Sequence, residues 1–397
     1  FCTQHFYCPG VGKPSLDRFE TACIACAVCS LACPYSAIEK ILDPFPRKNV
    51  KIFVDGDSFT VPERITLKRA LEILGLEFGK FPEGTKIFAP CETGGCYACA
   101  LLVNGKPKPA CVTPVKEGMK INLTLPKDYV PLRRISGYQP HPVGGVGTPW
   151  RIKKSGRHYI EVACFTHGCN LRCPQCQNFA VTYDNVTPPS APSDAATRLT
   201  AQRKIYGVDR MAISGGEPTL NRPWLIRFFQ ELRRLNPDPR ARLHLDTNAT
   251  VLTSEYLDDL VEAGMTDMGP DLKGLKTETF MRITGIMDRG LAEQYLTNTW
   301  SITKYALDKY YPEPLFLGIG IPYNRRLITL EEIRDMGERI AAMNPEVQVC
   351  LLDYFPTFRR LDMERPSVAE MQKARETLIE TGLKTVLAQT IRGHIGP

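Results

Sequence analysis

The feature that most limits how this chain can fold is the grouping of its cysteines. Of fifteen, eleven stand in three tight runs, Cys23 to Cys33, Cys91 to Cys111 and Cys169 to Cys176. In a small secreted protein so many cysteines would read as a disulfide scaffold. In a chain of 397 residues with 43% hydrophobic content, grouped at ligand-like spacings, they read as intracellular metal-centre ligands. Such a length buries sizeable cores and accommodates two to three domains.

Composition excludes some classes. No apolar run approaches the roughly 18 residues needed to span a bilayer. Phe1 is not a natural start, and no signal-peptide pattern is visible. The net charge of +7 is modest, with acidic residues interspersed among basic ones; it hints at an acidic partner without showing one, and nucleic acid is not an expected partner.

Residues 1–48 contain CIACAVCSLACP, in which Cys23, Cys26, Cys29, Cys33 and Pro34 form the bacterial ferredoxin run C-x2-C-x2-C-x3-C-P. These short spacings wrap successive thiolates around one 4Fe–4S cubane. The fourth cysteine of such runs commonly serves a second cluster. Either Cys33 completes the first cubane, or Cys8, also followed by proline, does so and Cys33 belongs to a second. Cys2 is then a spare ligand or half of a truncated site.

Residues 49–125 open with a strand pattern, VKIFVDG, and a helical stretch, ITLKRALEILGL. They then reach Cys91, Cys96, Cys99 and Cys111, spaced C-x4-C-x2-C-x11-C, the first three at plant-type 2Fe–2S spacing. Gly94 and Gly95 allow a tight loop with N–H groups turned toward the sulfurs. The short return to Cys111 and the VNG turn resemble the 2Fe–2S domain of succinate dehydrogenase and fumarate reductase iron–sulfur subunits, which implies a β-grasp ferredoxin fold. Residues 126–157, rich in Pro and Gly and carrying Arg151, Lys153, Lys154 and Arg157, read as a basic linker lying over the surface.

From 158 to 397 short apolar runs (HYIEVACF, RMAISG, RLHLDT, TDMGPDL, LFLGIGI, VQVCLLDY, KTVLAQ) alternate with helical stretches, the pattern of a parallel α/β domain. Cys169, Gly215, Asp246 and Asp271 fall at or just after predicted strand ends, where α/β barrels gather their active groups. Cys169, Cys173 and Cys176, in CNLRCPQC, supply three thiolates, which leaves one iron of a 4Fe–4S cluster open. A structural zinc would require a fourth protein ligand. Downstream stand Gly215, Gly216, Glu217 and Pro218, in SGGEP.

Together these two motifs resemble the radical S-adenosylmethionine (SAM) signature. With LDTNA, PDLKG, MRITG, GIPYN and LDYFPTFRRLDMERPSVAEMQKARE, the last three-fifths of the chain resemble the pyruvate formate-lyase activating enzyme-like and AmmeMemoRadiSam-system proteins. The resemblance implies a partial (β/α)6 TIM-type barrel. It implies that Cys169, Cys173 and Cys176 hold the radical cluster, that SAM chelates the open iron, and that Gly215, Gly216 and Pro218 shape its binding loop, with Glu217 ordering that loop. Asn248 is assigned to the ribose, and Lys273 to the substrate or the SAM carboxylate. In activating enzymes strand-end oxygen ligands hold a monovalent cation, and Asp246, Thr247 and Asp271 occupy the matching positions. One departure stands out. The usual aromatic residue before the last cluster cysteine is Gln175 here, with Phe179 as the substitute for adenine packing.

Cys164 and Cys350 read as buried thiols in apolar runs, and His167 and His394 as loop histidines. The expected activity is reductive cleavage of SAM to a 5′-deoxyadenosyl radical and hydrogen abstraction from a protein partner or a small metabolite. The N-terminal clusters would relay electrons from a ferredoxin, a flavodoxin or a reductase subunit. An anaerobic cytoplasm is the expected setting. Two other readings are an electron-transfer subunit of a larger oxidoreductase and a sulfur-inserting enzyme that consumes its 2Fe–2S centre.

Overall fold

The computed structural model describes residues 22–42, 46–82, 84, 86–152, 154 and 158–397. The expectations for Cys2, Cys8, Lys153 and Arg157 lie outside them. The chain divides into two units: residues 1–136, 166–170 and 178–191, and residues 137–165, 171–177 and 192–397.

In the first unit a short helix, α1 (Val28–Ala32), follows the first cysteines. Strands β1 (Asn49–Val54) and β2 (Asp57–Pro62) form a hairpin, pairing from Asn49↔Pro62 to Val54↔Asp57. Its two-residue turn puts Asp55 at φ 49° and Gly56 at φ 100°, the positive-φ pair that matches strand twist. Helix α2 (Leu67–Ile73) is capped by Thr66, whose side chain accepts from the Arg69 amide. Short strands β3 (Phe78–Gly79) and β4 (Ile87–Phe88) pair in parallel. Strands β5 (Ala100–Val103), β6 (Lys106–Pro109) and β7 (Met119–Asn122) complete a five-stranded sheet of order β2-β1-β7-β5-β6. Met119 and Ile121 point inward while Lys120 and Asn122 face out, the period of two expected of a half-buried strand. Ile52, Val61, Leu67, Leu71, Leu101 and Ile121 form the core, joined by Val28 and by Cys99 and Cys111, with Cys26 and Cys29 packed against it.

Strands β8 (Arg133–His141) and β9 (Glu161–Thr166) each run from one unit into the other. In the first unit a one-turn helix, α3 (Phe179–Thr182), leads to β10 (Pro189–Ser190), which pairs with β8. The second unit alternates helix and strand: α4 (Pro192–Tyr206), β11 (Arg210–Gly215), α5 (Arg222–Leu235), β12 (Arg242–Thr247), α6 (Ser254–Glu262) and β13 (Asp267–Pro270). It continues with α7 (Thr277–Thr284), α8 (Arg289–Tyr310), β14 (Phe316–Tyr323), α9 (Leu330–Met343), β15 (Gln348–Asp353), α10 (Val368–Glu380), β16 (Thr385–Thr390) and β17 (Gly393–Ile395). The strand order is β9-β11-β12-β13-β14-β15-β16-β17. Neighbours from β11 to β16 pair in parallel, and β17 returns antiparallel. All eight residues of β14 are buried, as in a parallel strand covered on both faces. The chain is thus a mixed α/β protein, and the helix–strand alternation read from residue 158 onward is present.

The stretch expected to lie over the surface behaves otherwise. Residues 133–141 of it form β8, and residues 144–148 pack onto the strands themselves. A Cβ on Gly145 would overlap the Asp246 carboxylate, one on Gly318 would overlap the Val146 carbonyl, and one on Gly269 would stand 2.6 Å from the Gly147 amide. Gln348 fixes this segment, accepting from the Trp150 amide at 2.8 Å and donating to the Thr148 carbonyl at 2.8 Å. Glycine here permits backbone to meet backbone, where composition alone suggested a solvated linker.

Candidate functional site

In the second unit β11 ends at Gly215, whose φ of +105° turns the chain out of the strand where a side chain would be strained. Glu217 then opens a single 3-10 turn, Pro218–Leu220. Its buried carboxylate accepts from the Thr219 amide (3.0 Å), the Thr219 hydroxyl (2.6 Å), the Thr247 hydroxyl (2.6 Å) and the Asn248 amide (2.7 Å). Burial raises its carboxyl above the ordinary range against these donors. Glu217 therefore fastens the Gly215–Gly216 turn to the end of β12, and its oxygens are occupied by the chain. Asn248 spends its side-chain oxygen on Thr250, accepting from the amide at 3.0 Å and the hydroxyl at 2.7 Å.

Asp246 and Asp271, the expected cation ligands, each have a basic side chain beside them. Asp246 pairs with His244 at 3.0 Å, and Asp271 with the buried Lys273 at 2.9 Å. Thr247 already donates to Glu217. Burial works against a charged Lys273, but Asp271, Tyr354 and the Cys173 thiol outweigh it and raise it well above its usual value. Burial pushes the Cys173 thiol up to about 12, with Lys273 the main opposing influence. An ammonium beside this loop favours the thiolate that a cluster requires.

Cys169 belongs to the first unit, and Cys173 and Cys176 belong to the second. Cys173 and Cys176 are joined by a turn in which the Cys176 amide donates to the Cys173 carbonyl at 3.1 Å. The loop is tied to the end of α7. The Arg172 amide donates to the Thr284 carbonyl at 2.8 Å, and the buried Gln175 donates to the Ile283 carbonyl at 2.7 Å. A Cβ on Gly285 would overlap the Arg172 carbonyl, so the final glycine of MRITG is what admits the loop. Gln175, where an aromatic residue was expected, acts as an anchor. Phe179 opens α3 in the first unit.

In the first unit Cys91, Cys96, Cys99 and Cys111 are all buried. The Cys91 and Cys96 sulfurs lie 3.1 Å apart, and the Thr93 and Ala98 amides each point at one of them from 3.5 Å. Hydrogen bonds from Cys111 and Cys96 lower the Cys91 thiol well below its usual value. Positive φ at Glu92 (55°), Gly94 (77°) and Tyr97 (60°) curls the loop around the sulfurs. A 2Fe–2S cluster suits this donor set. In the N-terminal loop the Ala25 and Ala37 amides approach the Cys23 and Cys33 sulfurs at 3.4 Å, and Ala25 and Ala27 take positive φ.

Residues 164–299 match the Radical SAM superfamily, and residues 47–124 match a 2Fe-2S iron-sulfur cluster binding domain. This chain carries a radical SAM domain and a 2Fe–2S domain. The first match contains Cys169, Cys173, Cys176, Gly215 to Asn248 and Lys273, and implies SAM and a 4Fe–4S cluster. An AdoMet-dependent heme synthase of Methanosarcina barkeri is 32% identical over 130 residues, covering 32% of this chain and 35% of the relative. A GTP 3′,8-cyclase of Clostridium acetobutylicum is 30% identical over 135 residues, covering 34% of this chain and 41% of the relative. The matched part thus spans well under half the length of these relatives. Among solved structures, SuiB of Streptococcus suis bound to S-adenosylmethionine aligns with a TM-score of 0.42 at 16% identity, over 56% of this chain and 48% of SuiB. No helix among the described residues is long and apolar enough to cross a membrane.

Several working residues escaped the sequence reading. Cys164 and Cys350 are buried as expected. His167, read as a loop histidine, is fully buried, with Ser136 Oγ at 2.8 Å and the Asp184 carbonyl at 3.0 Å. Glu161 and His244 form a buried ionic group with Arg210 and Asp267. Both are isolated polar residues inside apolar runs, the one signal that could have flagged them.

Proposed function

We propose that this chain is a radical SAM enzyme that cleaves SAM reductively and directs the 5′-deoxyadenosyl radical to hydrogen abstraction. The acceptor is a protein partner, as in activating enzymes, or a small metabolite. A 4Fe–4S cluster on Cys169, Cys173 and Cys176 would supply the electron and the open iron for the SAM amino and carboxylate groups. The observation that carries this reading is the Glu217 knot, which presents the Gly215–Gly216 backbone beside the ends of β11 and β12. The backbone of such a turn can receive the SAM amino group at close range, where a side chain would obstruct it. Lys273 places a positive charge beside Cys173. The alternating strands and helices of the second unit fit a partial (β/α)6 barrel. The 2Fe–2S domain and the N-terminal cysteine loop fit a relay that feeds electrons inward.

The test is anaerobic reconstitution, reduction with dithionite and chromatography of products. Release of 5′-deoxyadenosine and methionine, lost in Cys173→Ala, is the expected result. No release from protein whose 2Fe–2S centre reduces normally would make the chain an electron-transfer subunit instead.

A further inference from the structure

In the first unit the 2Fe–2S loop is packed onto the residues that lead into Cys169. Gly168 has φ +80°, and a Cβ on it would stand 2.9 Å from the Cys96 amide nitrogen, 3.1 Å from Cys91 Cβ and 3.2 Å from Cys91 Sγ. From the other side, a Cβ on Gly95 would stand 2.5 Å from the Gly168 nitrogen and 2.5 Å from the His167 carbonyl carbon. So close an approach needs glycine on both segments.

Arg134 clamps the two together. Its amide donates to the Gly95 carbonyl at 3.0 Å, its carbonyl accepts from the His167 amide at 3.0 Å, and its Nε donates to the Gly94 carbonyl at 3.3 Å. The buried His167 ring, held by Ser136 and the Asp184 carbonyl, and the Gly168 amide, donating to the Thr182 carbonyl at 3.0 Å, fix the partner side. On the 2Fe–2S centre's remaining ligands, Cys99 and Cys111 share one core with Val28, and Cys26 and Cys29 pack against that core.

Resting on the reading above, we propose that Cys91, Gly168 and Cys169 form the junction through which the 2Fe–2S centre passes its electron to the three-cysteine cluster, and that the N-terminal cluster stands upstream. A Cβ added to Gly168 would meet the 2Fe–2S ligand Cys91, and Gly168 is bonded directly to Cys169 of the three-cysteine cluster. Arg134 and Gly95 are positioning residues for that contact. One electron leaves the reduced 2Fe–2S centre, which is oxidised, and enters the three-cysteine cluster, which is reduced. No bond forms or breaks and no proton moves. An external one-electron donor of the ferredoxin or flavodoxin class restores the 2Fe–2S centre.

The experiment is EPR relaxation on the fully reconstituted chain. With both clusters reduced, the 2Fe–2S signal is expected to relax faster than in Cys169→Ala/Cys173→Ala/Cys176→Ala protein, and SAM addition is expected to alter that enhancement. Should the triple variant fail to hold its 2Fe–2S centre, wild-type protein poised first with only that centre reduced and then with both serves as the comparison. Rapid mixing provides a second readout: Gly168→Ala should slow reoxidation of the pre-reduced 2Fe–2S centre by the three-cysteine cluster. Identical relaxation with and without the reduced three-cysteine cluster overturns the junction. If that result accompanies deoxyadenosine release under dithionite, the radical SAM reading stands and the junction alone falls. If relaxation is enhanced but no deoxyadenosine appears, the junction stands and the enzymatic reading falls.

Discussion

Replacing Glu217 tests whether one buried carboxylate holds the nucleotide loop together. Four donors converge on it, three at Oε1 (the Thr219 amide, the Thr219 hydroxyl and the Thr247 hydroxyl) and one at Oε2 (the Asn248 amide). Glu217→Gln keeps the shape and one oxygen. The side chain can turn that oxygen to the three donors, but its amide then faces the Asn248 N–H, leaving one buried donor unmet at a cost of about 1–3 kcal/mol. Glu217→Ala strands all four, and at about 1 kcal/mol each the loss is on the order of 4 kcal/mol. Trp224 and Trp300 are both buried in the second unit, so tryptophan fluorescence during urea unfolding reports on it. The expected order of stability is wild type, then Gln, then Ala, with SAM affinity by equilibrium dialysis falling in the same order. Because burial raises the Glu217 carboxyl, wild type should also lose stability as pH rises from 4.5 through that raised value, a slope absent in Glu217→Gln. If both variants unfold within ~0.5 kcal/mol of wild type, the range of ordinary surface substitutions, the knot is incidental and Glu217 does not hold the loop.

The ionic group around His244 should show in stability against pH. Burial lowers the His244 imidazole, but Asp246 and Glu161 outweigh it and raise it to about 9, so its contribution, complete below 6.5, should fade as pH climbs toward 9. Burial raises Glu161, but His141, His244 and Arg210 bring it down to about 2, so its contribution, present above 4.5, should fade as pH falls toward 2. Urea midpoints across this range should form a plateau between the two losses, and a His244→Gln protein that keeps the alkaline loss would contradict the assignment. Gln348→Ala removes both ties to residues 148–150, so limited proteolysis should cut near Trp150 faster than in wild type. Ser367→Ala removes the capping box at the start of α10 and should lower stability by about 1 kcal/mol, read from the same urea titration.

The radical SAM and 2Fe–2S domains were legible because ligand spacing is local: cysteine motifs of this kind are written in nearly consecutive residues. The helix–strand alternation of the second unit was legible for a similar reason, since apolar periodicity is set within each element. Contacts between distant segments left no comparable trace. Gln175 looked like a missing aromatic, yet its amide meets the Ile283 carbonyl, 108 residues along the chain. Asp246 and Asp271 stand at strand ends in the sequence, and only the fold shows His244 and Lys273 beside them.

Glycine was the residue most open to misreading. The GGVG stretch has the composition of a flexible connector, and sequence alone cannot separate a glycine kept for freedom from one kept for proximity. A missing Cβ serves either purpose. The difference lies in what faces it. Gly56, Gly105 and Gly118 have nothing within 4 Å of an added Cβ, while Gly95, Gly147 and Gly168 would each drive one into another segment's backbone. Alanine at the open positions should therefore cost only the strain of positive φ. At Gly147, where no positive φ is involved, it must separate the segment from β13, and urea unfolding of Gly147→Ala should fall well below Gly118→Ala. If the two were equally stable, the close approach of residues 144–148 to the strands would not be what holds that segment in place.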